Sequence, residues 1–125
     1  MKTFQINHSD IHGGAARAAY RIHQALRRHG VDSRMRVNQA SGGDWTVQGP
    51  ESKWNKAVVR VRPSLGGLVT RLLKTENPII HSPAIVPSIW STCLNASDVD
   101  LLHLHWVNGE MLSIPDIGRL RKPVV

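Results

Sequence analysis

The sequence predicts an α/β fold built on a parallel β-sheet, and three features of its 125 residues lead to this prediction. Residues 1–6 form a short run that is apolar enough for a first strand. Apolar residues then recur with the spacing of one helix face, and residues 34–38 alternate between basic and apolar side chains. A strand, a helix and a strand within the first forty residues indicate a βαβ unit, whose strands run parallel through a right-handed crossover.

The first helix is predicted from about Gly14 to His29, with Gly13 and Gly14 at the point where the strand becomes the helix. Glycine at such a point permits positive φ and lets a ligand approach the backbone. The first turn of a helix presents unpaired N–H groups and a partial positive charge, which suit a phosphate or a sugar hydroxyl. Gly30 is predicted to end the helix as a left-handed cap.

The glycine pair has a second interpretation, because tight turns also use glycine for structural reasons alone. The nucleotide-binding fingerprint G-x-G-x-x-G is absent, since Gly13 and Gly14 are followed by Ala15, Ala16 and Arg17. An ordinary dinucleotide-binding domain is therefore disfavoured, whereas a ligand-binding loop and a purely structural turn both stay open at this point.

Residues 51–74 are predicted to form two short helices rather than one long helix. Apolar side chains recur at spacings of three and four residues through the segment, which indicates a helix face. Pro63 and the pair Gly66–Gly67 interrupt it, because proline lacks a backbone N–H and its ring clashes with the preceding turn. Residues 40–50 are predicted to be a loop that contains a short strand near 45–48.

A buried strand is predicted at residues 101–105, and polar residues follow it. Before this strand we expect irregular backbone over 75–88, which holds three prolines, and a short helix at about 88–94. Ser113 is predicted to cap a last short helix. Residues 122–125 resemble the start of a further strand, so we expect the chain to be the N-terminal part of a longer protein.

Composition narrows the class of protein. Hydrophobic residues make up 41% of the chain, and no apolar run is long enough to cross a bilayer. No apolar signal-peptide segment follows Lys2, so we expect a cytoplasmic location. The single cysteine, Cys93, cannot form an internal disulfide. The net charge of +7 favours an anionic partner, such as nucleic acid, anionic lipid or a phosphorylated substrate, without choosing among them.

Three kinds of site have weak support. His103 and His105 are two residues apart on a predicted strand and face the same way, but no third histidine has ligand spacing, so we predict no metal site. No nucleophile motif G-x-S-x-G is present, and no signal of activation lies near Cys93. Binding to nucleic acid would rest on charge alone, and we expect no nucleic-acid partner.

Two polar loops follow strands that the pattern places in one sheet. In an open parallel sheet, ligands bind beyond the carboxyl ends of the strands. Residues 8–14 and 105–109 both lie at such ends, so we expect them to share one crevice, although packing of the histidines within the sheet is the alternative. The candidate binding residues are Gly13, Gly14, Arg17, His105, Asn108 and Gly109.

Two runs of residues resemble a known family. Residues 9–20 read S-D-I-H-G-G-A-A-R-A-A-Y and residues 103–109 read H-L-H-W-V-N-G, and together they resemble the start of a bacterial family-4 glycosyltransferase. The resemblance implies the GT-B architecture, in which two Rossmann-like domains face each other across a cleft. It also implies a nucleotide-sugar donor, no metal in the chemistry, and a role in building surface polysaccharide.

The resemblance implies roles for the candidate residues. Gly13 and Gly14 would approach the donor diphosphate or sugar, and the other four would line the cleft. Residues 1–125 would be the truncated acceptor-side domain, a partial Rossmann-like sheet, and the C-terminal nucleotide-sugar domain would be absent. The family's pair of glutamates eight residues apart is missing here, so we assign no catalytic residue and no cofactor, and we expect this chain alone to transfer no sugar.

Acceptors of such enzymes are glycans or lipid-linked glycans, which implies peripheral contact with the inner membrane. The segment 54–74 carries apolar residues flanked by basic ones, and the alternative is that its apolar stripe covers the sheet. A hypothesis from a different class is a non-enzymatic basic module that binds nucleic acid or anionic membrane. The residues concerned are Trp54, Val58, Val61, Leu65 and Leu72, with Lys53, Lys56, Arg60, Arg62, Arg71 and Lys74.

Overall fold

The computed structural model describes residues 1–72 and 83–125, and in this part of the chain it shows an α/β fold. In chain order the elements are β1 (Lys2–Ser9), α1 (Gly14–Arg28), β2 (Asp32–Gln39), β3 (Val47–Gln48), α2 (Lys53–Leu72), α3 (Trp90–Asn95), β4 (Leu101–Leu104) and α4 (Ile114–Gly118).

The strands form one parallel sheet in the order β3-β2-β1-β4. The central strand β1 pairs with β2 on one side and with β4 on the other, where Ile6 lies opposite Leu104. Beyond β4, Val124 forms a single parallel bridge with Leu102. The predicted parallel pairing of residues 3–6 with the strand that begins at residue 101 is therefore confirmed.

Each face of the sheet carries its own hydrophobic cluster. Phe4, Ile6 and Leu102 lie on one face, where they pack with Leu94 of α3 and with residues 111–112 before α4. Met35 and Val37 lie on the opposite face and pack with Ala19 of α1. Alanine at this contact lets α1 approach the strands closely.

Most predicted element positions hold. Gly30 follows α1 with a φ of +80°, the left-handed conformation that was expected. Ser113 caps α4, because its hydroxyl accepts a hydrogen bond from the Asp116 N–H while the Asp116 carboxylate accepts one from the Ser113 N–H. Of the stretch 75–88 that was expected to be irregular, residues 75–82 lie outside the described residues, and 83–88 are irregular.

The expectation of two short helices over 51–74 is wrong, because α2 continues through Pro63. A proline inside a helix costs about 3 kcal/mol, so contacts elsewhere must hold the two halves in line. Arg62 supplies three of them, since its guanidinium donates to the backbone carbonyls of Glu110, Val86 and Pro87 at 2.8, 2.6 and 2.5 Å. These bonds fasten the residue before the proline to the segment before α3 and to the turn after β4.

The pair Gly66–Gly67 does not break the helix either, because Gly66 meets a close neighbour. Gly66 is the one buried residue of α2, and a Cβ built on it would lie 2.6 Å from Cγ of Glu110. The missing side chain therefore makes room for the glutamate. The rest of α2 stays largely exposed, with Trp54 at 77% and Val61 at 54% exposure, so the apolar stripe does not pack on the sheet.

Candidate functional site

The carboxyl ends of β1 and β4 are joined by hydrogen bonds. The His8 N–H donates to the Trp106 carbonyl at 2.8 Å, and the Asn7 side-chain oxygen accepts from the Trp106 N–H at 2.8 Å. The imidazole of His8 lies beside Gly109, where a built Cβ would be 3.6 Å from Cε1 of the ring. The loop that follows β4 is thereby fixed to the end of the central strand.

The loop before α1 adopts the conformation that its glycines predict. Gly13 has a φ of +91°, which favours glycine, and it precedes the helix without any side-chain cap. Gly13 and Gly14 are both exposed, and a Cβ on either would meet no atom within 4 Å. The first turn also lacks acidic residues. The start of α1 is therefore an open surface of N–H groups with partial positive charge.

Asp10 connects this glycine loop to the loop that follows β2. The residue is 1% exposed, and its Oδ2 accepts hydrogen bonds from the N–H groups of Ser41 and Gly42 at 2.9 and 2.7 Å. Its Oδ1 is buried and has no hydrogen-bond partner among the described residues. Asp10 therefore fixes the backbone in front of Gly13 to the loop after β2.

His105 lies on the α1 face of the sheet and is held there by Gln5. Its Nε2 is 2.8 Å from the side-chain oxygen of Gln5, and its ring stacks on His103 at 4.0 Å between centroids. Burial, and to a smaller extent the charge of His103, lowers the pKa of His105 to about 4. His105 is therefore neutral at pH 7, and its Nε2–H donates to Gln5.

The six predicted binding residues fall into two groups. Gly13, Gly14 and Arg17 lie at the exposed start of α1, and His105 lies on the same face of the sheet as α1. Asn108 and Gly109 lie instead beside His8, whose side chain follows that of Ile6 on the other face. Both groups border the end of β1, and within the described residues no hydrogen bond joins one group to the other.

A cleft of about 680 Å³ opens at the carboxyl ends of β1 and β2, beneath α2. Lys56 and Arg60 of α2 line it together with His8 of β1 and with Glu51. The Nδ1 atom of His8 is buried on the side of Gly109, 3.8 Å from a Cβ built on that residue. Burial lowers the pKa of His8, against a smaller opposing effect of the Asn108 carbonyl.

A second cleft of about 630 Å³ continues under the N-terminal half of α2. Trp54 and Val58 line it from the helix, and Trp90 lines it from α3. The guanidinium of Arg36 lies 5.4 Å from the centre of the Trp90 ring, a cation–π contact. Sequence reasoning missed both clefts, although Lys56 and Arg60, four residues apart, share one helix face.

The described residues contain no candidate metal site, and the comparisons with known proteins identify no relative. Among residues 1–72 and 83–125, no group of three His, Cys, Asp or Glu side chains is placed to hold a metal ion. Comparison of the chain with protein-family models, curated proteins and solved structures finds no match. No helix in the described ranges has both the length and the apolar character needed to cross a bilayer. The function must therefore be argued from the geometry of the site.

Proposed function

We propose that the chain is the acceptor-side, N-terminal part of a glycosyltransferase of the GT-B type. In this proposal the enzyme transfers a sugar from a nucleotide-sugar donor to a glycan or lipid-linked acceptor during surface polysaccharide synthesis, in the cytoplasm. The all-parallel order β3-β2-β1-β4 supports the Rossmann-like half that such an enzyme requires. The resemblance of residues 9–20 and 103–109 to family-4 enzymes gives the reaction class.

The open start of α1 is the observation on which the proposal depends. Gly13 and Gly14 leave the first N–H groups of the helix exposed at the carboxyl edge of the sheet, without a side-chain cap or an acidic residue. A donor diphosphate binds there through these N–H groups and the partial positive charge of the helix. Arg17, exposed one turn further along α1, adds a formal positive charge to the same surface.

The activation barrier to sugar transfer falls when the enzyme holds the donor and the acceptor together in the reacting geometry. The described residues contribute the phosphate loop at Gly13 and a wall formed by the loop at Asn108 and Gly109, on either side of the end of β1. We assign no acid, base or nucleophile to them. The residues that complete the transfer belong, in this proposal, to a second domain.

Calorimetric titration of the chain with a panel of nucleotide-sugars tests the proposal. Uridine, guanosine and adenosine diphosphate sugars bind in this account through their shared diphosphate, with the nucleoside and the sugar supplying little of the affinity to this chain. Absence of binding by all three at millimolar concentration contradicts the proposed donor site. The matching nucleosides, which lack phosphate, are the control.

We propose in addition that α2 contacts an anionic membrane, because a lipid-linked acceptor is anchored in the membrane. The side chains at positions 54, 58, 61, 65, 68 and 72 follow the alternating four- and three-residue spacing of one helix face, and all six are exposed. Lys53, Lys56, Arg60 and Arg71 lie along the same helix and are also exposed. An exposed apolar stripe beside basic residues is typical of helices that lie in a membrane interface.

The non-enzymatic hypothesis predicts that no nucleotide-sugar binds to the chain. A basic module would bind anionic vesicles through α2 and would leave the start of α1 unused. Vesicle binding without any nucleotide-sugar binding would therefore favour that module over the transferase.

A further inference from the structure

Trp45 lies in the loop between β2 and β3 and is 84% exposed, although both of its neighbours in the chain are anchored. The Asp44 carboxylate accepts hydrogen bonds from the Thr46 N–H at 2.8 Å and from the Thr46 hydroxyl at 2.7 Å. Thr46 is buried, with its hydroxyl 2.8 Å from Nε2 of His23. The backbone under the Trp45 ring is therefore fixed, while the ring belongs to neither hydrophobic cluster of the described sheet.

An arginine of α1 covers one face of the Trp45 ring. The guanidinium carbon of Arg27 lies 5.2 Å from the ring centre, which is a cation–π contact. Arg27 is itself held in place, because its Nη1 donates to the Ser33 carbonyl at 3.0 Å. Since the residue is 84% exposed, the opposite face of the ring is open to solvent. The two side chains form a prearranged surface, the Trp45 platform, on which another planar ring can stack.

A stripe of positive charge runs along α1 beside the Trp45 platform. Arg17, Arg21 and Arg28 are exposed and, with Gln24, follow the four- and three-residue spacing of one helix face. We call these residues the basic stripe, which is about 17 Å long from Arg17 to Arg28. Within residues 1–72 and 83–125 none of its arginines forms an ion pair, and α1 contains no acidic residue. The positive charge of the stripe is therefore not neutralised by these parts of the chain.

Hydrogen bonds join the basic stripe to the platform. Nε2 of Gln24 donates to the Asp44 carboxylate at 2.7 Å, and the Tyr20 hydroxyl donates to the same oxygen at 2.8 Å. Because Asp44 directly precedes Trp45, the exposed ring lies at the edge of the stripe. The charge of Asp44 is engaged by these bonds and by those from Thr46, so the surface as a whole stays positive.

Arginines beside an open aromatic ring have the chemistry that binds single-stranded nucleic acid. Guanidinium groups hold phosphates through paired hydrogen bonds, and an unstacked base lays its π-face on an aromatic ring. The net charge of +7 adds attraction for a polyanion. The sequence offered charge alone, which suits any anion. The Trp45 platform is the observation that favours an anion that carries bases, because a carboxylate-rich partner gains little from stacking.

We infer that α1 and Trp45 bind single-stranded nucleic acid, with phosphates along the basic stripe and one base stacked on the Trp45 platform. This binding goes beyond the proposed sugar transfer and does not depend on it. Arg27 of the platform lies about 20 Å along the helix from Gly14, where the donor is proposed to bind. The two surfaces share Arg17, which is therefore left unchanged in every variant below.

An octamer of deoxythymidine labelled with fluorescein is the probe, and its fluorescence anisotropy reports binding to the full chain. Trp45→Ala is expected to bind it at least about fivefold more weakly, because one base loses its stacking partner. Trp54→Ala, which removes an exposed tryptophan from α2, is the matched control and is expected to bind as the original chain does. Equal losses in the two variants would overturn the inference.

An abasic octamer tests the stacking from the side of the ligand. The original chain is expected to bind it at least about fivefold more weakly than the thymidine octamer, whereas Trp45→Ala is expected to bind both octamers equally. Equal affinity of the original chain for the two octamers would overturn the inference, because binding would then depend on phosphate charge alone.

Charge variants locate the phosphates. Arg21→Gln/Arg28→Gln is expected to reduce the slope of log affinity against log salt concentration by about 1.4, since each phosphate contact on a single strand contributes about 0.7. The matched control Lys53→Gln/Arg71→Gln removes the same charge from exposed positions of α2 and is expected to keep the slope. Equal changes in both double variants would overturn the basic stripe, because they would show attraction to the charge of the chain as a whole.

A glutamate octapeptide represents an acidic protein partner. It is expected to bind at least about fivefold more weakly than the thymidine octamer, because it has no base to stack, and to bind Trp45→Ala as it binds the original chain. If the peptide binds as tightly as the octamer and with the same dependence on Trp45, the inference is overturned in favour of an acidic protein. Nucleotide-sugar titration of the same variants reports separately on the proposed function.

Discussion

Gly66 of α2 lies directly against Glu110, so closely that a Cβ on the glycine would come within 2.6 Å of the glutamate Cγ. The glutamate in turn is buried, and its carboxylate accepts the N–H groups of Ala84, Ile85 and Val86 at 2.8, 3.1 and 2.9 Å. One contact therefore connects the long helix, the loop before α3 and the turn after β4. Its removal is expected to affect the position of α2 and the two clefts beneath it.

Gly66→Ala is expected to destabilise the fold by about 1–3 kcal/mol, because the added methyl group overlaps a buried side chain that has no room to move. Gly67→Ala is the matched control, since a Cβ at position 67 meets nothing within 4 Å. That substitution is expected to stabilise the helix by about 0.5–1 kcal/mol. Urea unfolding of both variants measures the difference, and equal stabilities would refute the close contact.

Glu110→Gln tests the carboxylate itself. The amide is neutral, so all three backbone N–H groups lose a charged partner. It also has one acceptor oxygen where the carboxylate has two, so at least one N–H group loses its acceptor. The free energy of unfolding is expected to fall by about 1–3 kcal/mol. Glu51→Gln, on the exposed border of the cleft, is the control and is expected to change stability by less than about 0.5 kcal/mol. The account of Glu110 fails if the two variants are equally stable.

The stability of the fold is expected to fall as the pH drops from about 6.5 towards 4. His105 has a pKa of about 4 in the folded chain, well below the ordinary value of 6.5. Between these values the unfolded chain binds a proton that the folded chain does not, so acid favours unfolding, by up to about 3 kcal/mol. Burial lowers the pKa of His8 and His23 as well and acts in the same direction.

Urea unfolding at pH 7 and pH 5 measures this dependence on the original chain and on His105→Gln. The variant keeps an amide donor for Gln5 but has no proton to take up, so its stability is expected to change less between the two pH values. If the original chain and the variant lose the same free energy, His105 does not contribute and the lowered pKa is wrong.

Vesicle flotation tests the proposed contact of α2 with membranes. Each basic residue near an anionic surface contributes about 1 kcal/mol, so the triple variant of Lys53, Lys56 and Arg60 to Gln is expected to bind anionic vesicles about a hundredfold more weakly. A triple variant of Arg21, Arg28 and Arg121 to Gln removes the same charge from outside α2 and serves as the control. Neutral vesicles are expected to bind weakly in every case. Equal behaviour of the two triple variants would contradict a surface centred on α2.

Short-range patterns predicted the framework of this fold well. The alternation in β2, the apolar face of α1 and the glycine after it are all local signals. The parallel pairing of β2, the packing of Ala19 and the φ of Gly30 confirm them. Ser113 and its helix were predictable for the same reason, because a capping box depends on residues three positions apart.

The long helix and the clefts beneath it depend on contacts that no local pattern reveals. Pro63 and Gly66 both argue against a continuous helix, and the partner that overrides them, Glu110, is more than forty residues away. His105 and Gly109 lie on opposite faces of the sheet. The strand ends at Leu104, and the chain then turns so that Gly109 lies beside His8. Sequence reasoning placed both at one edge but had no means to assign their faces.

The central claim is that the open start of α1 binds the diphosphate of a nucleotide-sugar, and amide chemical shifts test it most directly. Titration of the ¹⁵N-labelled chain is expected to shift the amides of Gly13, Gly14 and Arg17. Gly14→Asp is expected to abolish the shifts, since a carboxylate repels phosphate while it stabilises the helix start by about 0.3–1 kcal/mol. Gly14→Asn, of similar size and neutral, is expected to retain binding. If the largest shifts lie away from residues 13–17, or if Gly14→Asp binds as well as Gly14→Asn, the claim is contradicted.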